Sequence, residues 1–450
     1  MSAGDVEGFA INPTVVRAWK RYPAYKDSGV EWLGEVPVGW ELVRLKYAVR
    51  MITQRTIDQN SNSNYIGLEN IESWTGRLIA SEDTLDPEGQ SGSFESGDVL
   101  FGKLRPYLAK VHKATVDGIC STEILVFRPK LVNQDYLFYY LLNSEFIKTV
   151  NSSTYGTKMP RANWDFIGNL LIPNISLHDQ HAIAAFLDRE TARIDALIAK
   201  KQRFIELLEE KRQAFISHAV TKGLDPNVEL KDSGVEWIGE VPAGWEIKKI
   251  SYLADKITNG YVGPTRDIFV NNGVIYLQSL HIKRNQIIFD YNYYVSEEWS
   301  NKHPRSILKK GDVLIVQTGD IGQVAVVPEE YEGANCHALI IISCTPTAMK
   351  GEYLSMLLNS TYGFNSLKRI QTGALHPHLN YHNVKEILIP VPPISEQLAI
   401  VEWIVQSSSK IDALINIITL QIEKLHEYRT VLISAAVTGK IDVRGEEGAT

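Results

Sequence analysis

The sequence predicts an α+β protein in which two similar β-rich domains are joined by two long helices. Three observations carry this prediction: a duplicated opening segment, two sets of short apolar runs, and two long amphipathic stretches. The opening segment at residues 26–41 (KDSGVEWLGEVPVGWE) returns at residues 231–246 (KDSGVEWIGEVPAGWE) with only two substitutions. Chance does not produce so long a match, and we therefore interpret the chain as an internal tandem duplication.

The duplicated segment is rich in turns. Its glycines and its proline interrupt any helix, while Trp32, Val36 and Trp40 are spaced as apolar anchors. We interpret it as a structural opener that leads into the first strand of each copy, rather than as a ligand site.

Short apolar runs of the kind that form strands follow each opener. In the first copy they lie at residues 63–71, 98–101 and 122–127, and in the second at residues 274–282, 312–316 and 338–342. Each set is followed by a short helix, at residues 136–144 and 353–360, and by one further strand, at residues 170–173 and 387–390. The segments between these runs differ between the copies, which indicates one scaffold with two different sets of surface loops.

Two long stretches, at residues 180–220 and 397–437, have the apolar spacing of an amphipathic helix. In the first, the apolar stripe comprises Leu187, Ile194, Leu197, Ile198, Phe204, Ile205, Leu208 and Phe215. A helix of that length spans about 60 Å and needs an equally long partner to cover its stripe. We expect Ser176 and Ser395 to be the N-caps. The predicted boundaries are 1–175 and 229–392 for the β-rich domains, and 176–228 and 393–450 for the helices.

Composition restricts the class of protein. The formal net charge is −7, and none of the four predicted segments carries more basic than acidic side chains, which argues against a free-standing nucleic-acid binder. Three cysteines without metal-ligand spacing (Cys120, Cys336 and Cys344) suggest a reducing, cytoplasmic setting. We expect neither a signal peptide nor a membrane span. Cys120 and Cys336 occupy corresponding strands, where we expect small buried residues.

Motifs for catalysis fail on inspection. Residues 97–103 have the spacing of a phosphate-binding loop, but Leu104 stands where Ser or Thr is required and Pro106 blocks the following helix. His376, His378 and His382 could suggest a metal, yet the matching positions of the first copy are Met159, Arg161 and Asp165, so we interpret the histidines as hydrogen-bonding residues of a loop. Neither a methyltransferase motif nor a dinucleotide fingerprint is present in the sequence.

One polar loop is present in both copies and predicts the functional surface. Residues 156–164 (GTKMPRANW) match residues 373–381 (GALHPHLNY), sharing Gly, Pro, Asn and an aromatic residue. The shared residues would hold the shape of the loop, while the changing donors would make different hydrogen bonds to base edges. Each candidate alone is more often an ordinary solvated residue than a contact, and only the repeated placement favours a site. In the first copy the candidates are Arg55, Asn70, Lys103, Arg105, Tyr107, Lys110, Lys158, Arg161 and Asn163. In the second they are Arg266, Gln278, His281, Lys283, Arg284, Gln317, Thr318, His376, His378 and Asn380.

The whole chain resembles the specificity subunits of type I restriction-modification systems. The opener, its copy, and the two segments in which Ile-Pro precedes a glutamine and a long helix, starting at Ile172 and Ile389, carry the resemblance. It implies two target-recognition domains, each reading half of a bipartite DNA site, and two helices that pack antiparallel with pseudo-twofold symmetry and set the spacer between the half-sites. Because the recognition loops are the variable part of that family, exact contact residues do not carry over.

The resemblance also implies partners. These are two modification subunits, which bind S-adenosylmethionine and methylate adenine, and restriction subunits, which act as motor and nuclease with ATP and Mg²⁺. We therefore expect this chain to be non-catalytic and to carry no cofactor. An alternative that the residues leave open is a protein-binding adaptor with duplicated globules and no DNA readout.

Overall fold

The structure is a computed structural model that describes residues 19–56, 64–80, 90–154, 156, 158–236, 238–373 and 377–446. The chain divides into two compact units. The first unit comprises Met1–Lys201 with Leu420–Thr450, and the second comprises Gln202–Thr419. Each unit therefore combines a β-rich domain with part of both long helices. His376, one of the candidate residues, lies outside the described residues.

Within the described residues, the first unit contains twelve short strands, four short helices and the start of the first long helix. Its strands are β1 Tyr25–Asp27, β2 Glu35–Pro37, β3 Glu41–Arg44, β4 Val49–Ile52, β5 Arg55–Thr56, β6 Tyr65–Ile66, β7 Ser91–Phe94, β8 Val99–Gly102, β9 Val111–Lys113, β10 Gly118–Cys120, β11 Ile124–Pro129 and β12 Leu171–Asn174. Its short helices are α1 Leu45–Ala48, α2 Gln134–Leu141, α3 Ser144–Ser152 and α4 Trp164–Ile167, with 3₁₀ turns at Leu68–Asn70 and Pro106–Leu108. The first long helix, α5 Leu177–Lys222, follows.

The second unit repeats this order. Its strands are β13 Leu230–Asp232, β14 Glu240–Pro242, β15 Glu246–Lys249, β16 Ala254–Asn259, β17 Phe269–Val270, β18 Val274–Leu277, β19 Ile282–Lys283, β20 Gln286–Ile287, β21 Tyr294–Val295, β22 Val313–Val316, β23 Val324–Val326, β24 Asn335–Cys336, β25 Leu339–Cys344 and β26 Leu388–Val391. Its helices are α6 Glu297–Lys302, α7 Gly351–Asn359, α8 Thr361–Arg369 and α9 Tyr381–Val384, with 3₁₀ turns at Ile250–Tyr252, Ser279–His281, Pro304–Ser306 and Glu329–Tyr331. The second long helix is α10 Ile394–Val437.

The central sheet has the same strand order in both units. It is β4-β11-β8-β9 in the first and β16-β25-β22-β23 in the second, with all neighbours antiparallel. Both faces of this sheet are covered. In β25, Ile340 and Ile342 face one apolar cluster, whereas Leu339 and Ile341 face another. Alternate residues of a strand point to opposite faces, so a sheet covered on both sides needs the uninterrupted apolar runs that the sequence contains.

A second, smaller sheet differs between the units. Its centre is a parallel pair in both, β6 with β10 and β18 with β24. In the first unit the sheet is extended beside β10 by β7 and β5, whereas in the second it is extended beside β18 by β21 and β17. The divergent segments of the sequence therefore add strands at opposite edges of a shared pair.

The opener forms the same structure wherever it is described. Val36 and Val241 are fully buried, and Trp40 and Trp245 are nearly so. The segment pairs as a short hairpin in each unit, β1 with β2 and β13 with β14. The prediction of a structural opener is confirmed.

A buried glutamine fixes the start of each long helix. Gln180 accepts the Asn133 N–H (2.6 Å) and donates to the Ile175 carbonyl oxygen (2.9 Å). Gln397 accepts the Lys350 N–H (2.8 Å) and donates to the Ala348 and Pro392 carbonyl oxygens. Both side chains are buried. Each glutamine therefore ties the first turn of its helix to the segment before α2 or α7.

The helix starts test the two predicted N-caps. Ser176 is confirmed, because its hydroxyl accepts the Asp179 N–H at 3.0 Å. The prediction of Ser395 as an N-cap is wrong, because α10 begins one residue before it, at Ile394. The carbonyl oxygen of Pro393 accepts the first helical N–H groups. A proline just before a helix needs no N–H partner of its own and presets the backbone, which moves the start upstream.

Within each unit the two long helices run antiparallel. In the first unit, Asp195 pairs with Arg429 (3.0 Å) and Lys201 donates to Gln421 (2.6 Å). In the second unit, Arg212 pairs with Asp412 and the ring of Phe215 lies against that of Trp403 (5.3 Å). The lower-numbered residue of α5 pairs with the higher-numbered residue of α10 in both cases, so the expected antiparallel packing is confirmed.

The end of α10 completes the first unit. The Tyr136 hydroxyl donates to the Val437 carbonyl oxygen (3.0 Å), and Lys440 donates to the Leu33 carbonyl oxygen (3.1 Å). Val443 is buried in the same apolar cluster as Tyr136. The core of the first unit is therefore built from both ends of the described chain.

Two features concern the cysteines and the apolar character of the helices. Cys120 and Cys336 are fully buried in β10 and β24, as predicted. Among the described residues, none of the helices has the length and apolar character needed to cross a lipid bilayer.

Candidate nucleic-acid interface

The first unit has a surface where three separate segments meet, which we name the first edge. It is formed by Lys103 and Arg105 after β8, Glu123 before β11, and the loop that holds Pro160 and Ala162. The Lys103 N–H donates to the Glu123 carbonyl oxygen (2.9 Å), and the Ala162 N–H donates to the Lys103 carbonyl oxygen (2.9 Å). The Arg105 N–H donates to the Pro160 carbonyl oxygen (2.8 Å). The backbone therefore brings two of the predicted basic loops together.

An ion pair lies at the centre of the first edge. The Arg161 guanidinium donates from Nε and Nη2 to the Glu123 carboxylate, at 3.0–3.2 Å. The two side chains are 35% and 26% exposed, respectively, so the pair is partly accessible to a ligand. Hydrogen bonds between ionised groups are stronger than neutral ones, and two parallel bonds also fix the plane of the guanidinium. Arg161 is thus presented in a defined orientation.

A strained turn presents an aromatic side chain beside the same edge. Arg105 (φ 52°) and Ala109 (φ 46°) adopt left-handed backbone on either side of the 3₁₀ turn at Pro106–Leu108. A left-handed residue other than glycine costs roughly 1–2 kcal/mol. In this turn Pro106 is buried while Tyr107 is 46% exposed. Arg105 and Lys158 are also exposed, so the predicted basic and aromatic character is present on this surface.

Four other candidates of the first unit bond within the protein. Asn70 is buried and accepts the Gly67 N–H (2.8 Å), which excludes it from surface contacts and corrects its assignment as a DNA contact. Lys110 donates to the Leu68 carbonyl oxygen (2.6 Å), and burial lowers the pKa of its amine. Arg55 donates to the side chain of Gln90 (3.2 Å), and Asn163 caps α4 by accepting the Asp165 N–H (2.9 Å).

The second unit has a surface of the same construction, which we name the second edge. The Leu379 N–H donates to the Gln317 carbonyl oxygen (3.0 Å), as Ala162 does to Lys103 in the first unit. His378 occupies the position of Arg161, and its Nε2 lies 3.1 Å from the Thr372 hydroxyl. Thr318 and His378 are exposed. The two copies therefore present different side chains on one backbone arrangement.

Two candidates of the second unit are structural, which corrects their assignment. His281 is fully buried, with Nδ1 accepting the Gln278 N–H and Nε2 against the Tyr291 carbonyl oxygen, both at 2.9 Å. Burial lowers its pKa. Gln317 is 9% exposed, and its amide donates to Asn259 and to a backbone carbonyl oxygen. His281 and Asn70 close equivalent 3₁₀ turns, so the repeated placement of polar residues there reflects turn structure.

The remaining candidates of the second unit lie in different places. Asn380 caps α9 by accepting the His382 N–H (2.9 Å), matching Asn163. Lys283 and Arg284 are exposed on the hairpin of β19 and β20, and Arg266 is exposed in the loop after β16. Gln278 is half-buried at the start of a 3₁₀ turn. Among the candidates of the second unit that the structure describes, Gln317, Thr318 and His378 lie at the second edge.

Sequence reasoning missed Glu123 at the first edge and Tyr261 beside β24 in the second unit. Glu123 could not be predicted, because an acidic residue next to a strand has no distinctive sequence pattern. Its contact with Arg161 depends on the pairing of β8 with β11. Tyr261 is bonded through its backbone to Cys336 and Ala338, and its ring contacts those of Trp299 and His303, each at 4.9 Å. A single aromatic residue in a divergent loop carries no periodic pattern.

Comparison with known families identifies the duplicated domain. The family model described as the type I restriction modification DNA specificity domain matches twice, at residues 37–207 and 242–424. The chain belongs to this family. Each match covers the β-rich domain of one copy after the opener and extends into its long helix, so the family assignment includes the scaffold that positions both edges.

Relatives in the same family match over most of their length. The type I restriction enzyme MjaVIII specificity subunit of Methanocaldococcus jannaschii is 27% identical over 73% of this chain and 75% of its own. The putative type I restriction enzyme MjaX specificity subunit of the same organism is 25% identical over 92% of this chain and 96% of its own.

Solved structures share the fold. A chain from a study of the assembly and conformational transition of the type I R-M system has a TM-score of 0.68, at 20% identity over 89% of this chain and 98% of that one. The HsdS subunit of Thermoanaerobacter tengcongensis has a TM-score of 0.52, at 20% identity over 90% of this chain and 98% of that one. The α+β fold with two β-rich domains and long helices is thus that of this family.

Proposed function

We propose that this chain is the DNA-specificity subunit of a type I restriction-modification complex, in which each unit reads one half of a bipartite DNA site. One observation carries the proposal: the same edge is built twice, with Arg161 and Glu123 on the first and His378 and Thr318 on the second. A scaffold that is repeated while its presented donors change is suited to reading two different base sequences. Membership in the DNA specificity domain family supports the same conclusion.

The proposed partners are modification subunits, which dock on the long helices. Several large apolar side chains of these helices are exposed in both units. In the first unit they are Leu177, Leu197, Leu420 and Val431, and in the second they are Phe204, Leu207, Leu398, Trp403, Val405, Leu414 and Ile417. Leu197 and Phe204 belong to the apolar stripe predicted from the sequence, but they are 43% and 50% exposed and are therefore not covered within the chain. Exposed apolar patches of this kind mark protein interfaces.

Catalysis in the proposed complex belongs to the partners. The modification subunits would bind S-adenosylmethionine and methylate adenine, and the restriction subunits would use ATP and Mg²⁺. The relatives support this division of labour, because they are named only as specificity subunits. In this arrangement the chain contributes recognition of the DNA and the spacing of the half-sites.

Methylation mapping tests the proposal. The chain is expressed with its modification subunits, and methylated positions in the host genome are compared with those of a host that lacks the chain. A bipartite methylated motif that depends on the chain is expected. If the complex assembles but methylation is absent, or does not depend on the sequence of the chain, the adaptor function replaces the proposed one.

Two substitutions test whether each unit reads its own half-site. Arg161→Ala should relax base preference in one half only, by about 1–3 kcal/mol per lost bidentate contact, and His378→Ala should relax preference in the other half. The measurement is the set of methylated motifs for each variant. A uniform loss of methylation across all sequences would instead identify these residues as phosphate contacts or structural residues.

A further inference from the structure

Glu123 places a carboxylate on a surface that is otherwise suited to a polyanion. We propose that Glu123 is a positioning residue: it holds the Arg161 guanidinium in one plane so that Arg161 discriminates one base pair in the half-site read by the first unit. This inference rests on the proposed function and adds to it a specificity-determining residue that does not itself touch the base.

Both members of the pair are anchored through the backbone. The Glu123 N–H donates to the Ser121 hydroxyl (3.2 Å), and its carbonyl oxygen accepts the Lys103 N–H (2.9 Å). Arg161 lies between Pro160 and Ala162, which bond to Arg105 and Lys103, and it forms an antiparallel bridge with Leu104. The ion pair therefore links two fixed backbone positions, and the orientation of the guanidinium is set by the fold.

The geometry of the pair suits the reading of a base. Glu123 engages the side of the guanidinium formed by Nε and Nη2. The fork of five N–H groups is rigid and planar, so fixing one side also fixes the edge formed by Nη1 and Nη2. Arginine discriminates guanine by two parallel hydrogen bonds to O6 and N7, which require the guanidinium to lie in the plane of the base. A long side chain that is already oriented loses less rotamer entropy when it makes those bonds.

The charge of Glu123 predicts a signature that a purely structural residue would not give. A carboxylate near the DNA repels phosphates and so weakens binding to any sequence. The protein retains it on a surface whose other charged residues are basic, which favours a role in discrimination rather than in affinity. Removal of the charge should therefore raise or preserve non-specific DNA binding while it lowers discrimination. Loss of a structural support would lower both.

The second unit lacks this pair and provides an internal comparison. The residue before β25, which corresponds to Glu123 before β11, is Ala338. His378 stands at the position of Arg161 and contacts Thr372 on its own loop. Variants of Glu123 should therefore change only the half-site of the first unit, and the half-site of the second unit reports on the integrity of the assembled complex.

The test uses the chain assembled with its modification subunits. Methylation rates are measured on duplexes in which each base pair of the two half-sites is varied in turn, and binding to a non-specific duplex is measured in parallel. The variants are Glu123→Gln, Glu123→Ala, Glu123→Asp, Arg161→Ala and the double variant Glu123→Ala with Arg161→Ala. Glu31→Gln, which removes the same charge from an exposed position of the opener, is the matched control.

The expected result is a loss of discrimination of about tenfold at a single base pair for Glu123→Gln and Glu123→Ala, within the range of one bidentate contact. Arg161→Ala should affect the same base pair, the double variant should add no further loss, and Glu123→Asp should restore part of it. Non-specific binding should be unchanged or stronger, and Glu31→Gln should discriminate like the parent chain.

Three results would overturn the inference. Unchanged discrimination in Glu123→Ala would show that Arg161 needs no support. A loss at a base pair different from that of Arg161→Ala would show that Glu123 contacts a base directly. A uniform loss at every position, with weaker non-specific binding, would show a structural role. Failure of the proposed function is distinct from all three, because the parent complex would then show no sequence preference.

Discussion

Gln397 shows how much one buried side chain can determine. Its amide satisfies one backbone N–H and two backbone carbonyl oxygens at the start of α10. Replacement by leucine keeps the volume but leaves these groups without partners. Because each unsatisfied buried group costs roughly 1–3 kcal/mol and three groups are affected, we expect Gln397→Leu to lower the free energy of unfolding by at least about 3 kcal/mol.

Denaturant unfolding of the full chain measures this effect. Gln180→Leu, at the matching position of α5, should destabilise to a similar extent. Gln406→Leu is the control on the same helix, since Gln406 is exposed and should change the free energy by no more than about 0.5 kcal/mol. Equal effects of Gln397→Leu and Gln406→Leu would contradict the role of the buried amide.

The candidate residues divide at this scale into those that sequence reasoning could find and those it could not. The Gly-Pro-Asn-aromatic loop was found because it is repeated, and the structure places its Arg161 and His378 on equivalent edges. The same criterion gave a wrong prediction for Asn70 and His281. Both are repeated because each side chain accepts a backbone N–H within an equivalent 3₁₀ turn, not because they contact DNA. Glu123 required knowledge of which strands are neighbours, since its partner lies far away in the sequence.

Among the elements, β8, β11, β22 and β25 were predictable because their apolar runs are continuous and duplicated, and the two long helices were predictable because their apolar spacing is periodic. The extra strands β5, β7, β17 and β21 were not, because they are short, differ between the copies, and are added to one side of the shared parallel pair. The start of α10 was misplaced because Pro393, rather than Ser395, terminates the preceding segment. The hydrophobic pattern thus predicted the elements that form the cores. The added strands and the start of α10 depend on local turns, which that pattern does not indicate.

The ion pairs between α5 and α10 provide a matched test at the same scale. In the first unit Arg429 and Asp195 are 7% and 17% exposed, and Arg429 also donates to the Trp74 carbonyl oxygen. In the second unit Arg212 and Asp412 are 19% and 57% exposed. Removing one partner of a buried pair leaves an uncompensated charge at a cost of about 3 kcal/mol, whereas an exposed pair contributes at most about 1 kcal/mol.

We therefore expect Asp195→Ala to destabilise the chain by about 3 kcal/mol and Asp412→Ala by no more than about 1 kcal/mol. Denaturant unfolding gives the totals, and hydrogen exchange of the α5 backbone assigns each loss to its unit. Equal losses for the two variants would show that burial does not decide the strength of these pairs.

For the molecule as a whole, the negative net charge predicts that recognition of DNA depends on assembly with the modification subunits. The chain has a formal net charge of −7, and phosphate contacts from Lys and Arg dominate DNA affinity. We expect the isolated chain to bind its DNA site weakly and with little sequence preference at physiological salt, and the complex with modification subunits to bind tightly. A fluorescence titration checks this, and nanomolar specific binding by the chain alone would contradict it.

The long helices predict how the half-sites are spaced. Helix α5 passes from the first unit to the second between Lys201 and Gln202. Inserting four helix-forming residues there lengthens α5 by about 6 Å and rotates its far end by roughly 40°. The half-site sequences should stay the same, while the unspecified spacer lengthens by about two base pairs at ~3.4 Å each.

A matched insertion after Ile418 in α10, at the position that corresponds to Lys201, should restore packing of the lengthened helices. Methylation mapping of the single and double insertions measures the spacer directly. An unchanged spacer in an active, fully assembled complex would show that the helices do not set the distance.

The closure of the first unit by the end of α10 has a consequence for synthesis on the ribosome. The second unit, Gln202–Thr419, is continuous, so its core is complete as soon as it leaves the exit tunnel. Synthesis of the first unit starts earlier, but its core is completed later, because Leu432, Ala436 and Val443 near the C-terminal end belong to that core. Until those residues emerge, the nascent chain exposes the apolar surface that they will cover, and a chaperone has its main opportunity to bind there.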